Sequence, residues 1–181
     1  YNKAIEVILE NMKDLKKATI YAEKINTPEV WSAIGKAKLK ENLVDEAIDA
    51  FLKSNCGEDY QEVIFQAERD EKFEDLIKYL LMVRETKKDK MIDGELIFSY
   101  AKCDKLAEIE SFISGTNTAE LGNIADRLYD QKNYHASKIL YEHIGNNARL
   151  ASCLVYLKEY QKAITAAKKA NNPKCWKEVC F

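Results

Sequence analysis

The sequence predicts an all-α fold: an α-solenoid of short antiparallel helical hairpins with a period of about 29 residues. Three observations carry this. An apolar pattern of helical spacing recurs along the whole chain. Turn-forming residues are scarce, with six Gly and two Pro in 181 residues, well under the usual share of roughly 7% and 5%. Apolar residues make up 46% of the chain and charged residues 32%, with a net charge of −2, which suits a packed core rather than a disordered chain.

The pattern is clearest at Val44, Ala47, Ile48 and Phe51, spaced i, i+3, i+4 and i+7 on one helix face. Phe73, Leu76, Ile77 and Leu80 repeat it, and Leu15, Ala18, Thr19 and Ala22 precede it in weaker form. Leu106, Ile109 and Ile113 follow, then Tyr134, Ser137 and Tyr141, then Tyr160, Ala163, Ile164 and Ala167. The anchors at 15, 44, 73, 106, 134 and 160 are separated by 29, 29, 33, 28 and 26 residues. A second apolar set lies between successive anchors. Val30, Trp31, Ile34 and Ala37 open the series, followed by Tyr60, Val63, Ile64 and Ala67, and by Leu96, Ile97, Tyr100 and Ala101. Leu121, Ile124, Ala125 and Leu128, then Leu150, Ala151, Leu154 and Val155, complete it. Two helices of about 10–14 residues with tight connections fill each period, which is an αα-hairpin. About 12 such helices are expected, and a lone hairpin cannot bury both faces, so the hairpins stack.

The segments NTPEVW, at 26–31, and NNPKCW, at 171–176, mark two hairpin starts. Thr27 and Asn172 are N-cap candidates, and Pro28 and Pro173 occupy the first helical position, where a missing N–H costs nothing. Asn26 to Trp31 maps onto Asn55 to Tyr60 at a spacing of 29, so an aromatic residue recurs at that place.

Five cysteines, Cys56, Cys103, Cys153, Cys175 and Cys180, are odd in number and dispersed. They read as reduced thiols of a cytosolic protein, and thiol counting should find all five. No metal site is expected, since zinc needs clustered ligands and His135 and His143 have no Cys nearby. Asp45, Glu46 and Asp49 lie opposite an apolar stripe and read as a solvated face. His135 beside Tyr134 has the chemistry of a pH sensor but lacks a visible partner and reads as a surface histidine. The basic run Arg84, Lys87, Lys88 and Lys90 carries charge suited to lipid head groups. It coincides with the 33-residue step and reads rather as a helix end or loop. With no nucleophile motif or Gly-rich phosphate loop, no catalytic residue and no cofactor are expected. The charge balance argues against nucleic acid, and no apolar run approaches the length of a membrane span.

The chain resembles the clathrin heavy chain family. The resemblance rests on EVWSAIGKAKL (29–39), VDEAIDAFLK (44–53), GELIFSYAKCDKLAEIESFISG (94–115), RLYDQKNYHASKILY (127–141), RLASCLVYLKEYQKAITAAKKA (149–170) and the final WKEVCF (176–181). It is weakest over 83–93. The resemblance implies a structural coat element: residues 1–181 as one continuous solenoid stretch, from around the knee and the start of the proximal leg. It also implies a cytoplasmic location on coated pits and vesicles. The implied partners are other heavy-chain legs of the lattice, and clathrin light chain through a surface mostly beyond Phe181. A scaffold or tethering subunit of a vacuolar-sorting complex with the same repeat is the alternative. Tyr1 and Phe181 fall inside apolar helix patterns, so the chain reads as cut from a longer array at both ends. Uncovered core faces at those ends would favour weak head-to-tail association.

Overall fold

The computed structural model describes residues 15–173 and 176–177. Among them are eleven α-helices and no strand. In chain order these are α1 (Leu15–Ile25), α2 (Pro28–Lys40), α3 (Val44–Ser54), α4 (Tyr60–Arg69), α5 (Phe73–Thr86), α6 (Lys90–Lys102), α7 (Leu106–Ser114), α8 (Leu121–Asp130), α9 (Tyr134–His143), α10 (Asn147–Tyr156) and α11 (Tyr160–Ala170). The all-α expectation therefore holds. The terminal patterns at Tyr1 and Phe181, and Cys175 and Cys180, lie outside the described residues.

Five anchors, Val44, Phe73, Leu106, Tyr134 and Tyr160, are each the first residue of a helix. The hairpins are α2–α3, α4–α5, α6–α7, α8–α9 and α10–α11, and three residues connect the two helices of every one. The five turns share one construction. The middle residue is left-handed in each: Asn42 (φ 59°), Glu71 (55°), Asp104 (56°), Lys132 (61°) and Lys158 (61°). The N–H of the next residue then reaches back five places. Leu43 bonds the Lys38 carbonyl, Lys72 that of Ala67, Lys105 that of Tyr100, Asn133 that of Leu128 and Glu159 that of Leu154, at 2.8–3.0 Å. The left-handed residue itself donates to the carbonyl three places back, as Lys132 does to Tyr129 at 2.9 Å. This is a Schellman closure, which satisfies carbonyls that a helix end leaves orphaned. It usually employs glycine, and here it does not, which is how a glycine-poor chain turns so often.

The links between hairpins vary instead. Two residues separate α1 from α2, five separate α3 from α4, and six separate α7 from α8. The longest anchor step, from 73 to 106, arises from the long helices α5 and α6, of 14 and 13 residues.

At the first recurrent segment, Asn26 is left-handed (φ 49°), and its Oδ1 accepts the indole N–H of Trp31 at 3.0 Å. Asn55 (51°) and Asn171 (47°) share that backbone conformation. Thr27 is the N-cap of α2, with Pro28 behind it, but its hydroxyl caps nothing. The asparagine one place earlier is the side chain that secures the corner, by holding the tryptophan.

The contacts fall into two compact units, Tyr1–Lys88 and Asp89–Phe181. In the first, Ala18, Ala22, Val30, Trp31, Ile34 and Ala50 form one cluster, and Ile48, Phe51, Val63, Leu76, Tyr79 and Leu80 are fully enclosed around α3, α4 and α5. In the second, Ile92, Leu96, Ile97, Ile109, Leu128, Leu140 and Tyr141 play that part. Tyr160 departs from the expected core, being 55% exposed. Anchors in first position stand at the turn edge of a hairpin, and α11 packs through Ala163, Ala166 and Ala167 instead.

Candidate functional site

A repeat array has no single cleft; what it can do mechanically is set by the seams where one hairpin meets the next. In the first unit, α2–α3 meets α4–α5. The Phe51 ring of α3 lies 5.8 Å from the Tyr79 ring of α5. Burial pushes the Tyr79 phenol well above its ordinary range, and its hydroxyl finds no hydrogen-bond acceptor among the described groups. Around this apolar centre runs a polar rim. Ser32 Oγ donates to Cys56 Sγ at 3.3 Å, and Lys36 Nζ reaches Glu58 at 3.4 Å and Asp59 at 3.5 Å. Asp59, with Glu58 beside it, raises the Lys36 pKa. At the turn edge, Arg69 donates to Asn42 Oδ1 at 3.0 Å and Lys72 pairs with Asp45 at 2.6 Å.

In the second unit, α6 and α8 approach so closely that a Cβ on Gly94 would sit 3.3 Å from Ile124 Cδ1. Two ion pairs flank this approach: Lys90–Glu120 at 2.6 Å and Arg127–Glu95 at 2.8 Å. Lys90 holds the Glu120 carboxyl below its usual range. The Arg127 guanidinium also lies 3.6 Å from the Phe98 ring centroid. Between the pairs is an open groove of about 240 Å³ with Met91, Gly94 and Ile124 along its floor. Asp93, only 4% exposed, accepts from the Thr118 N–H at 2.6 Å and from its hydroxyl at 3.0 Å. Asn133 in the α8–α9 turn donates to the Ala101 carbonyl at 2.9 Å.

The next seam is aromatic. Tyr134 and Tyr156 stack at 4.5 Å with planes 2° apart, and Tyr129 meets both edge-on at 5.4 and 6.0 Å. Tyr141 donates to Asp126; burial first, and then that bond, raise the Tyr141 pKa. Glu159, at the start of α11, receives Lys138 of α9 at 2.7 Å and Lys162 at 2.6 Å. These two cations lower its pKa to about 2. The side-chain hydrogen bonds that cross these seams span 21 to 32 residues, close to one period.

Residues singled out in the sequence take ordinary places. Asp49 and His135 are exposed. Asp45 and Glu46 are largely solvated and also serve as ion-pair partners, Glu46 for the buried Lys38 at 2.9 Å. Arg84 is within α5 and Lys90 opens α6, with Lys87 and Lys88 in the link between. Lys87 donates to the Gly57 carbonyl at 2.9 Å. Cys56 and Cys103 are half-buried and Cys153 is buried, and burial pushes the Cys153 thiol up to about 12. Among the described residues, no group of three or more His, Cys, Asp or Glu is placed to hold a metal ion, and no helix is long and apolar enough to cross a membrane. Sequence reading missed Asp93 and Lys38. The available signal was an acid inside the apolar run of α6, a helix whose residues 96–101 are all buried.

The profile of the family described as "Region in Clathrin and VPS" matches residues 51–181. A rice protein named clathrin heavy chain 2 is 47% identical over 179 residues, covering 99% of this chain. The clathrin heavy chain of Dictyostelium discoideum is 46% identical over 98% of it, and human clathrin heavy chain 2 is 42% identical over 98%. The chain spans about a tenth of the length of these relatives, 10% or 11% of each. With its hairpins in register with the sequence period and its profile matched over most of its length, the chain belongs to the clathrin heavy chain repeat family.

Proposed function

We propose that the chain is a structural segment of a heavy-chain leg in a vesicle coat of the clathrin type, lying around the knee and the start of the proximal leg. The observation that supports this most strongly is identity of 42–47% over nearly the whole chain to proteins named clathrin heavy chains in plants, an amoeba and animals. In this reading the two units belong to one continuous solenoid across residues 1–181. The partners are neighbouring legs of the lattice and, mostly beyond Phe181, clathrin light chain. The location is the cytoplasmic face of coated pits and coated vesicles, and the role needs no catalysis, cofactor or metal.

The mechanism is mechanical. Each hairpin is closed by two backbone hydrogen bonds at a three-residue turn, so it moves as one piece. Each seam within a unit combines an apolar centre with a polar rim, so it resists sliding but tolerates small rotations. Rotations summed over many repeats give a leg that is stiff locally and curved over its length.

The test is assembly. The full-length protein containing this segment should form closed polyhedral cages in cage-promoting buffer, visible by negative-stain electron microscopy and pelletable by sedimentation. A full-length protein that stays dispersed, or that joins a stoichiometric complex without forming a lattice, overturns the coat reading and favours a tethering scaffold.

A further inference from the structure

We infer that the two longest links between hairpins are held down as straps, each by the first helix of the preceding hairpin, and that releasing a strap loosens one joint without melting the hairpins. The inference concerns the chain itself and does not depend on the coat reading.

The five turns within hairpins are of constant length, and each is closed by the same pair of backbone hydrogen bonds. Side chains of some turn residues add ties across a seam, as Asn133 does to the Ala101 carbonyl, but the turn conformation itself is the same in all five. The links differ. The three-residue link 144–146 is satisfied locally: Gly145 N–H donates to the Glu142 carbonyl at 3.2 Å and Asn146 N–H to that of Tyr141 at 2.9 Å, and Asn146 Oδ1 caps Arg149 at 3.2 Å. The five-residue link 55–59 and the six-residue link 115–120 are instead tied to a helix more than 20 residues earlier. Ser32 and Lys36 of α2 hold Cys56, Glu58 and Asp59. Asp93 and Lys90 of α6 hold Thr118 and Glu120. In both cases the anchoring side chains are about one helical turn apart on the first helix of the hairpin whose second helix feeds the link. The same device therefore occurs once in each unit.

The two straps differ in strength. The Lys36 side chain is 44% exposed and that of Glu58 74%, and exposed ion pairs hold weakly. Asp93 is buried and accepts two hydrogen bonds, one from the Thr118 backbone amide, and hydrogen bonds to a buried charge are among the stronger ones. Its six-residue link therefore sits down firmly although it is the longest, with Asn117 Nδ2 adding contacts to the Ile113 and Gly115 carbonyls.

Amide hydrogen exchange on the whole chain tests this, because it reads local opening residue by residue. Asp93→Ala should raise exchange over 115–120, the Thr118 amide included, by about tenfold or more, with the amides in the middle of α7 and α9 changed less than about twofold. Thr118→Ala, an exposed change that cannot unfold the unit, should raise the same segment by about threefold. Lys36→Met should raise exchange over 56–59 by about threefold or less and leave 115–120 alone. Unchanged exchange over 115–120 in Thr118→Ala overturns the strap, whatever Asp93→Ala does. So does a rise spread evenly from α6 to α9, which would make Asp93 a general core residue.

Discussion

Replacing Gly35 with alanine should destabilise the chain, although glycine-to-alanine changes within helices ordinarily stabilise. Gly35 lies inside α2, where alanine is favoured over glycine by up to about 1 kcal/mol. Against this stands the ring of Phe51 on α3. A Cβ on Gly35 would lie 2.6 Å from Phe51 Cε1, 2.7 Å from Cδ1 and 3.1 Å from Cζ. Ordinary carbon contacts begin near 3.5 Å, so the ring must retreat by about 0.9 Å. It has nowhere to go: Phe51 is fully buried, and behind it is the equally buried Tyr79, 5.8 Å away between ring centroids. Overpacking of this kind costs about 1–3 kcal/mol, so the net effect is a loss of about 1 kcal/mol and at most about 2. Gly122, in α8, has nothing within 4 Å of its would-be Cβ, so Gly122→Ala should gain up to about 1 kcal/mol. Urea unfolding followed by circular dichroism gives both numbers. The decisive feature is opposite signs; a Gly35→Ala chain as stable as Gly122→Ala would show that α2 and α3 do not approach as closely as described.

Lys132→Gly should stabilise by up to about 1 kcal/mol, because it relieves a left-handed backbone (φ 61°) that disfavours side chains, less the entropy that glycine adds to the unfolded state; a loss in a thermal melt would contradict the turn geometry. Leu76→Ala, at a fully buried site, should cost about 2–5 kcal/mol. Its effect on hydrogen exchange should concentrate in α4–α5 and the seam to α3, and an even loss of protection over all helices would defeat the picture of local contacts. The Glu159 carboxyl has its pKa lowered from 4.5 to about 2 by Lys138 and Lys162. Its pairing therefore stabilises the fold fully above the unfolded value of 4.5 and fades as pH falls through the window from 4.5 to 2. The stability difference between the parent and Lys138→Met should be flat at neutral pH and shrink only below about 4.5, whereas a difference that shrinks near pH 6 would point to another group.

What was legible in the sequence was periodic. Apolar spacing located five helix starts to the residue, because the first apolar position of each second helix follows directly on a turn of fixed length. Composition predicted helices and short connections but not the means of turning: the shortage of glycine reads as a shortage of turns, whereas the chain puts Glu71, Asp104, Lys132 and Lys158 in left-handed corners. Backbone hydrogen bonds drive that choice, and they leave no mark in side-chain pattern. Thr27 looked like a cap because residue type and position fit, yet geometry gave the structural role to Asn26 through the Trp31 indole. The seams were the least legible part. Asp93 and Thr118 are 25 residues apart, as are many pairs that never meet, and only stacking brings them together.

We propose that this chain serves as a strut whose hairpins stack continuously within a leg of a coat. Electron cryo-microscopy of cages assembled from the full-length protein tests it most directly. The expected map shows residues 1–181 as one unbroken series of hairpins along a lattice edge, flanked by density of neighbouring legs. Finding the segment away from the lattice edges, or folded as two separate bodies with other density between them, would contradict the claim.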